Sequence, residues 1–426
     1  MAPSAIPPQS ESTSALTAAG VNDILTKTTT SVSSGVNGAT DRTLPDLDAS
    51  LLRATYTANP RLVPAHNSPE VFTMRTCTDH MITCSWTLEH GWAAPELKAY
   101  GPLSIMPTAS VLHYATECFE GLKLYRGYDG KLRLFRPDRN VARMLTSATR
   151  IALPGFNPQE LLKLIVKLCA TDGPKWLPKD RAGSFLYIRP TMIANDPALG
   201  VQKPKEALLY IILACFPVMD VRSGNGGLKL LASRDDMVRA WPGGFGFAKV
   251  GANYGPSLVA QGEARSRGYD QILWLFGEDC EVTEAGASNF FVVWKTRDGK
   301  TQLVTAPLGD RIILDGVTRR SVVDLVRQRL TSGWEDMQPL EIVERKFNMS
   351  EVVAAVEEGR LVEAFAAGTA FFIAPISEIH FRGHDLDIPM AAGDSGRYTA
   401  VIKTWLRNIM YGKERHEWGF VVEEEE

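Results

Sequence analysis

Nowhere does the 426-residue chain carry an apolar run long enough to cross a membrane, which takes ~20 residues. The stretch Leu161-Leu162-Lys163-Leu164-Ile165-Val166-Lys167-Leu168 is interrupted by lysines and reads as a buried amphipathic helix. No basic block is present and the net charge is −3, so nucleic acid has little to bind. The six cysteines (Cys77, Cys84, Cys118, Cys169, Cys215, Cys280) show neither zinc-ligand spacing nor a disulfide framework, which points to a reducing compartment. The seven histidines show no metal-ligand pairing, so no metal is expected, and His80 and His113 read as structural. No internal repeat is found. Before Arg42 there is no arginine, and Lys27 is the only basic residue. Mitochondrial presequences are Arg-rich and poor in acid. The start of the chain therefore points to the cytoplasm, although its Ser/Thr content and few acids leave mitochondria open.

What is present is ordinary for a globular enzyme: 45% apolar and 22% charged residues. Residues 1–50 are rich in Ser, Thr, Ala and Gly and read as a disordered extension. Strand-like runs occur at 185–188, 208–213, 228–231, 272–275 and 290–294. Helical periodicity appears at 159–169, 255–267, 320–330 and 396–409. This mixture gives an α/β (mixed α+β) class. The expected domains are 51–218 and 229–426, joined by a linker at 219–228 that contains Ser223-Gly224-Asn225-Gly226-Gly227.

The most informative stretch is Phe247-Ala248-Lys249-Val250-Gly251-Ala252-Asn253-Tyr254-Gly255-Pro256. A lone lysine is usually a solvated surface charge. Here its neighbours are small and offer little to an exposed ammonium, and glycine allows backbone or ligand to approach closely. An amine that loses solvation becomes a nucleophile or base. Its natural partner is an aldehyde, such as that of pyridoxal phosphate. The rest of such a site is present in order. Thr283-Glu284-Ala285-Gly286 supplies a carboxylate before an apolar run. Gly316-Val317-Thr318-Arg319 opens an amphipathic segment whose N-terminal amides favour a phosphate. Ala367-Gly368-Thr369-Ala370 adds a small-residue turn with a hydroxyl.

Together these motifs resemble the fold-type IV pyridoxal-phosphate enzymes, and most closely the eukaryotic branched-chain amino acid aminotransferases. The resemblance runs from about Thr78 to Trp418. It rests on Leu112-His113-Tyr114, Cys118-Phe119-Glu120-Gly121-Leu122-Lys123, Leu134-Phe135-Arg136-Pro137, Leu186-Tyr187-Ile188-Arg189-Pro190, Leu199-Gly200-Val201, Arg239-Ala240-Trp241-Pro242-Gly243-Gly244 and Leu273-Trp274-Leu275-Phe276-Gly277. It implies a fold-type IV aminotransferase of two domains, with pyridoxal 5'-phosphate as cofactor. Lys249 would be the lysine that condenses with the cofactor aldehyde. Glu284 would face the pyridine nitrogen and Tyr254 the ring hydroxyl. Arg143, Val317, Thr318 and Thr369 would hold the phosphate.

For the substrate, the resemblance assigns Tyr187 and Arg189 to the carboxylates, including the side-chain carboxylate of glutamate. Two apart on a strand, they point to one face. Tyr114, Phe119, Val201 and Ala370 would line the apolar pocket. Tyr114 and Val201 would come from the neighbouring subunit, which implies a homodimer. The chain departs from the family at Ala287, where a hydroxyl is usual, and at Val221, where an aromatic is usual. It also departs at the entrance, Phe72-Thr73-Met74-Arg75-Thr76-Cys77, and at Ala366-Ala367 before the Gly-Thr-Ala turn. The Cys-x-x-Cys pair of mammalian members is replaced by Phe371 and Ala374. The implied activity is transfer of an amino group between branched-chain L-amino acids and 2-oxoglutarate. The rival readings are another fold-type IV activity (a specialised L- or D-amino acid or amine transaminase, or an aminodeoxychorismate lyase) and a degenerate paralogue that only binds the cofactor. The blocks around Arg189 and Arg239 argue against the first rival. Retention of Lys249, Glu284, Tyr254 and Arg143 argues against the second.

Overall fold

Two sheets organise the structure, a computed structural model that describes residues 44–217, 226–370 and 372–425. The first sheet has ten strands among these residues. Its centre is antiparallel: Cys77–Thr87 pairs with Glu206–Cys215, then Phe185–Ala194, Leu122–Arg126 and Leu132–Phe135. The late strand Gly419–Val422 returns to close this sheet against Leu132–Phe135. Strand alternation gives its two faces different tasks. Leu122, Leu124, Leu186 and Ile188 point to one face, where they share a core with Leu161, Leu164, Ile165 and Leu168 of the helix Pro158–Trp176. Lys123, Tyr125, Phe185, Tyr187 and Arg189 alternate with these residues and turn to the opposite face. There Tyr125 and Phe185 join the core of the second sheet.

The second sheet has nine strands among the described residues. Leu228–Ala232 runs parallel to both Gln271–Phe276 and Phe372–Phe381. Leu361–Gly368 and Phe372–Phe381 pair antiparallel. Ser288–Lys295 lies between Leu361–Gly368 and Thr301–Thr305. Both faces are covered. Phe291 and Val293 pack with Val322, Val326, Ile402 and Leu406 of the helices Val317–Arg329 and Arg397–Met410. Phe290, Val292 and Trp294 pack with Met349 and Val352 of the helix Met349–Glu357. A strand buried on both sides reads as an unbroken apolar run, and Phe290-Phe291-Val292-Val293-Trp294 is one.

The sequence-derived elements fall on observed ones. The periodic segments 159–169, 255–267, 320–330 and 396–409 lie on the helices Pro158–Trp176, Ser257–Ser266, Val317–Arg329 and Arg397–Met410. Helix Pro158–Trp176 starts where Asn157 caps Gln159 and proline occupies the first turn. Order begins earlier than composition suggests. Residues 44–50, placed in the disordered extension, are structured: Leu47 is buried and Asp48 caps the short helix Ala49–Leu51. One large apolar side chain with a place in the core outweighs a polar window. Most of the expected linker, including Val221, lies outside the described residues.

Lys123 has a measurable effect on stability. Its ammonium is buried, and burial pushes its pKa down to about 7. In the unfolded chain a lysine titrates near its ordinary value, about 10.4. Between these two values the unfolded state binds more protons, so stability rises with pH from about 7 to about 10 and the penalty is complete below 7. The unfolding free energy of Lys123→Met minus that of wild type should therefore fall by a few kcal/mol from pH 6 to pH 10. Denaturant titrations across that range would show it, and a constant difference would refute the assignment.

Candidate active site

The two sheets meet around a cavity of about 440 Å³. Lys249 enters it because its backbone is held on both sides. Its carbonyl accepts from the Phe119 amide at 3.1 Å, its amide donates to Ser147 Oγ at 2.8 Å, and the next residue, Val250, bridges to Cys118. The tight turn Gly251–Tyr254 then brings the Tyr254 hydroxyl to 3.1 Å from Lys249 Nζ. A Cβ at 251 would meet the Glu117 side chain, its Oε1 at 2.1 Å, so glycine lets that side chain lie close against the turn.

One end of the cavity is cationic and rich in amides. Asn140, Arg143 and Ser147 occupy one face of the helix Pro137–Arg150, at a spacing that aligns them. Arg143 donates from Nε and one terminal nitrogen to both oxygens of Glu120, at 2.7 and 2.8 Å, and from the other to the Asp315 carbonyl at 2.9 Å. Burial opposes its charge, yet Glu120 more than compensates and holds the guanidinium above its ordinary value. Glu120 is itself anchored by Asn140 at 2.8 Å. Beside Arg143 starts the helix Val317–Arg329, whose first described backbone bond runs from Arg320 to Gly316. The amides of Val317 and Thr318 precede it and have no acceptor within the helix. Thr369 Oγ1 lies across this end, 3.4 Å from the Gly121 carbonyl.

The Glu284 side is acidic and buried. Glu284 accepts from Asn289 at 3.2 Å and from the Leu314 amide at 3.4 Å, and Arg239 pairs with its other oxygen. On the first sheet, Arg189 donates to the Tyr187 hydroxyl at 3.2 Å, and its guanidinium carbon lies 4.5 Å from the Phe119 ring centre. Tyr187 is held by stacking on Phe216 at 4.6 Å. Arg189 Nε is buried with no hydrogen-bond partner, an unused donor at the cavity wall.

The cavity thus brings together Arg143, Lys249, Tyr254, Glu284, Val317, Thr318, Thr369, Phe119, Tyr187, Arg189 and Ala370. Tyr114 and Val201 lie outside it. They are 39% and 87% exposed, and the Tyr114 hydroxyl donates to the Leu199 carbonyl. Three supporting residues were not among the expected site residues: Glu120 behind Arg143, and Arg239 and Asn289 around Glu284. Glu120 and Arg239 stand inside motifs quoted for the resemblance, so position was legible and role was not. The six cysteines are all buried and free. Among the described residues no cluster fits a metal ion, and no helix is long and apolar enough to cross a membrane.

An amine at a cavity wall, a cationic end and a buried acid define a site for a small anionic ligand with a reactive carbonyl. Comparison with known proteins agrees with that class. Residues 117–379 match the family described as amino-transferase class IV. The chain is 45% identical over 379 residues to the branched-chain-amino-acid aminotransferase of Monosiga brevicollis, covering 89% of this chain and 93% of that one. It is 46% identical over 385 residues to the cytosolic branched-chain-amino-acid aminotransferase of Saccharomyces cerevisiae, covering 89% and 99%. Among solved structures, the branched-chain aminotransferase of Thermoproteus uzoniensis with norvaline aligns at TM-score 0.60 and 26% identity, over 80% of this chain and 99% of that chain. The chain belongs to the class IV amino-transferase family, on its branched-chain-amino-acid aminotransferase branch.

Proposed function

We propose that the protein is a pyridoxal-phosphate-dependent transaminase that moves the amino group between branched-chain L-amino acids (leucine, isoleucine, valine) and 2-oxoglutarate. The observation that carries this reading is the placement of Lys249 Nζ on a cavity that also holds the Arg143 end and buried Glu284. The cofactor fits these residues. Arg143 and the Val317 and Thr318 amides suit a phosphate dianion, and Thr369 adds a hydroxyl. Tyr254, close to the lysine, suits the ring hydroxyl. Glu284 suits a protonated pyridine nitrogen. When bound, the cofactor supplies an electron sink for the charge left when the substrate Cα loses its proton.

The protein's part is binding and proton control. Lys249 Nζ takes the Cα proton and returns it on the other side of the exchange, because it is the amine at that wall. Glu284 would hold a bound ring nitrogen protonated, and Arg239 and Asn289 fix its carboxylate in place. Phe119 and Ala370 offer apolar contact to an aliphatic side chain. Arg189 offers its guanidinium to a second carboxylate, so one pocket serves both leucine and glutamate. A panel of L- and D-amino donors with 2-oxoglutarate tests the reading. Branched-chain L-amino acids should lead, and preference for D-amino acids or simple amines would assign the site to another fold-type IV activity.

Two substitutions separate the assigned roles. Arg143→Ala should raise the dissociation constant for pyridoxal phosphate by about 10- to 100-fold, the cost of one or two charge-assisted hydrogen bonds. Pyridoxal without phosphate should lose much less, and equal losses would remove Arg143 from the phosphate. Arg189→Lys should slow the glutamate half-reaction more than the leucine one, because lysine lacks the planar two-point fork. Single-turnover rates with each donor decide the point. Equal losses would leave the second carboxylate without this partner.

The working enzyme in this reading is a homodimer. Met106, Leu112, Tyr114, Leu199 and Val201 are exposed on the two segments that the Tyr114–Leu199 bond joins. A second subunit would cover this apolar group and carry Tyr114 and Val201 to its neighbour's cavity. The division into domains at 51–218 and 229–426 is our reading as well. It is supported by one core made mainly of residues before 218 around the first sheet and another made only of residues after 227 around the second, with Tyr125, Phe135 and Phe185 packing across into a third and Gly419–Val422 crossing back to the first.

A further inference from the structure

A second cavity, of about 450 Å³, adjoins the phosphate end of the first and shares Arg143, Gly316 and Val317 with it. The proposed mechanism makes no use of it. Its lining divides by chemistry. Phe247 and Leu308 give it an apolar wall, while Arg139, Arg311 and Arg320 join Arg143 as cations. Asp315 is the one carboxylate among the described lining residues.

The charges do not cancel. Arg143 is matched by Glu120, and Arg320 by Asp315 at 2.7 Å. Arg139 faces only Asp138, at 3.8 Å and with both side chains exposed, a pair of little worth. Arg311 has no ion-pair partner among the described residues, and its guanidinium carbon lies 5.2 Å from the centre of the Phe247 ring. Arginines gathered in one concavity repel one another, and an anion in their midst removes that cost. The planar fork of each guanidinium suits phosphate oxygens. A bare phosphate, however, would leave Phe247 and Leu308 unused and most of the volume empty. A phosphate ester on a small flat ring would use both parts, with its dianion among the arginines and its ring against Phe247.

We propose that this cavity is a second, non-covalent site for a phosphate monoester borne on a small aromatic ring. No lysine lines it among the described residues, so the ligand is held by charge and stacking alone, and a ring aldehyde would find no amine there. Two sources share this chemistry: a free pyridoxine-type phosphate and a nucleoside monophosphate.

The test uses holoenzyme in which borohydride has fixed the cofactor, so that the first cavity is permanently filled and any further binding is new. Three probes are titrated by calorimetry: pyridoxine 5'-phosphate, which has no aldehyde to react with stray lysines, adenosine 5'-monophosphate, and inorganic phosphate. A ring phosphate should bind once per chain and about tenfold more tightly than inorganic phosphate, the contribution of the aromatic wall. The tighter of the two ring phosphates identifies the source. Arg311→Asn should weaken that binding by about 10- to 100-fold, the cost of one charge-assisted hydrogen bond. Asparagine is chosen because residue 311 has a φ of 60°, which it tolerates. Arg139→Ala, at an exposed position, should weaken it as well. Both variants should keep the wild-type kcat, since neither residue lines the cofactor cavity. Failure of both ring phosphates to bind, inorganic phosphate binding as tightly as they do, or unchanged affinity in Arg311→Asn would each overturn the site. The proposal takes from the functional reading only the cofactor fixed on Lys249. A missing label fails that reading before the titration begins, whereas a label without second binding fails this proposal alone.

Discussion

Lys249→Ala should lose at least about 10⁴-fold in transamination, the upper range for removing a positioned acid–base group, while the fold remains. Its Nζ lies on this cavity wall, and among the described residues no second amine lines the cavity. The effect on structure should be small, because the backbone of Lys249 does the architectural work. Its carbonyl and amide bonds to Phe119 and Ser147 survive removal of the side chain. The variant should still bind pyridoxal phosphate through Arg143 and the amides of Val317 and Thr318. Far- and near-ultraviolet circular dichroism would establish the fold, and leucine–2-oxoglutarate assays the loss. Partial rescue by added small amines would show that a proton carrier is what went missing. Activity within tenfold of wild type would place the chemistry elsewhere.

The second large effect is at Glu284. Glu284→Ala should slow turnover by about 10²–10³-fold, the range for removing one preorganised charge-stabilising group, with the cofactor still bound. The loss falls on kcat, since the acid acts on the charge that develops after the substrate is bound. Arg239, now facing the cavity without its acid, would favour an unprotonated ring nitrogen and deepen the defect. Glu284→Gln should give a loss of similar size, because an amide keeps the shape but not the charge. Stopped-flow spectra of the half-reaction with leucine would separate slow chemistry from slow binding. A Glu284→Gln enzyme with normal kcat would remove the carboxylate from the mechanism.

Much of this site was legible in the sequence for local reasons. The lysine sits in a run of small residues that leaves room for a ligand, and strand periodicity put Tyr187 and Arg189 on one face. Phe290–Trp294 read correctly because a strand covered on both sides has no polar alternation to look for. The supporting residues were illegible because their partners are distant in the chain. Glu120 meets Arg143 twenty-three residues on, and Arg239 meets Glu284 forty-five residues on. Lys123 looks locally like any lysine on an edge-exposed strand. Only the packing of Phe185, sixty-two residues away, and Phe372 makes it a buried cation. The motif that brought Glu120 and Lys123 into view, Cys118-Phe119-Glu120-Gly121-Leu122-Lys123, runs from the short strand Glu117–Phe119 into the interior strand Leu122–Arg126 of the first sheet. Its acid serves Arg143 and its lysine packs against Phe185 and Phe372, a division that no count of residue types reveals.

The central claim is that Lys249 is the residue to which the cofactor aldehyde attaches, and borohydride tests it most directly. The enzyme loaded with pyridoxal 5'-phosphate is reduced, digested and mapped by mass spectrometry. The account predicts one phosphopyridoxyl group per chain, on the peptide that contains Lys249, and none when leucine is added first to empty the lysine. A stoichiometric label on Lys123 or any other lysine, or no label at all on active enzyme, would contradict it.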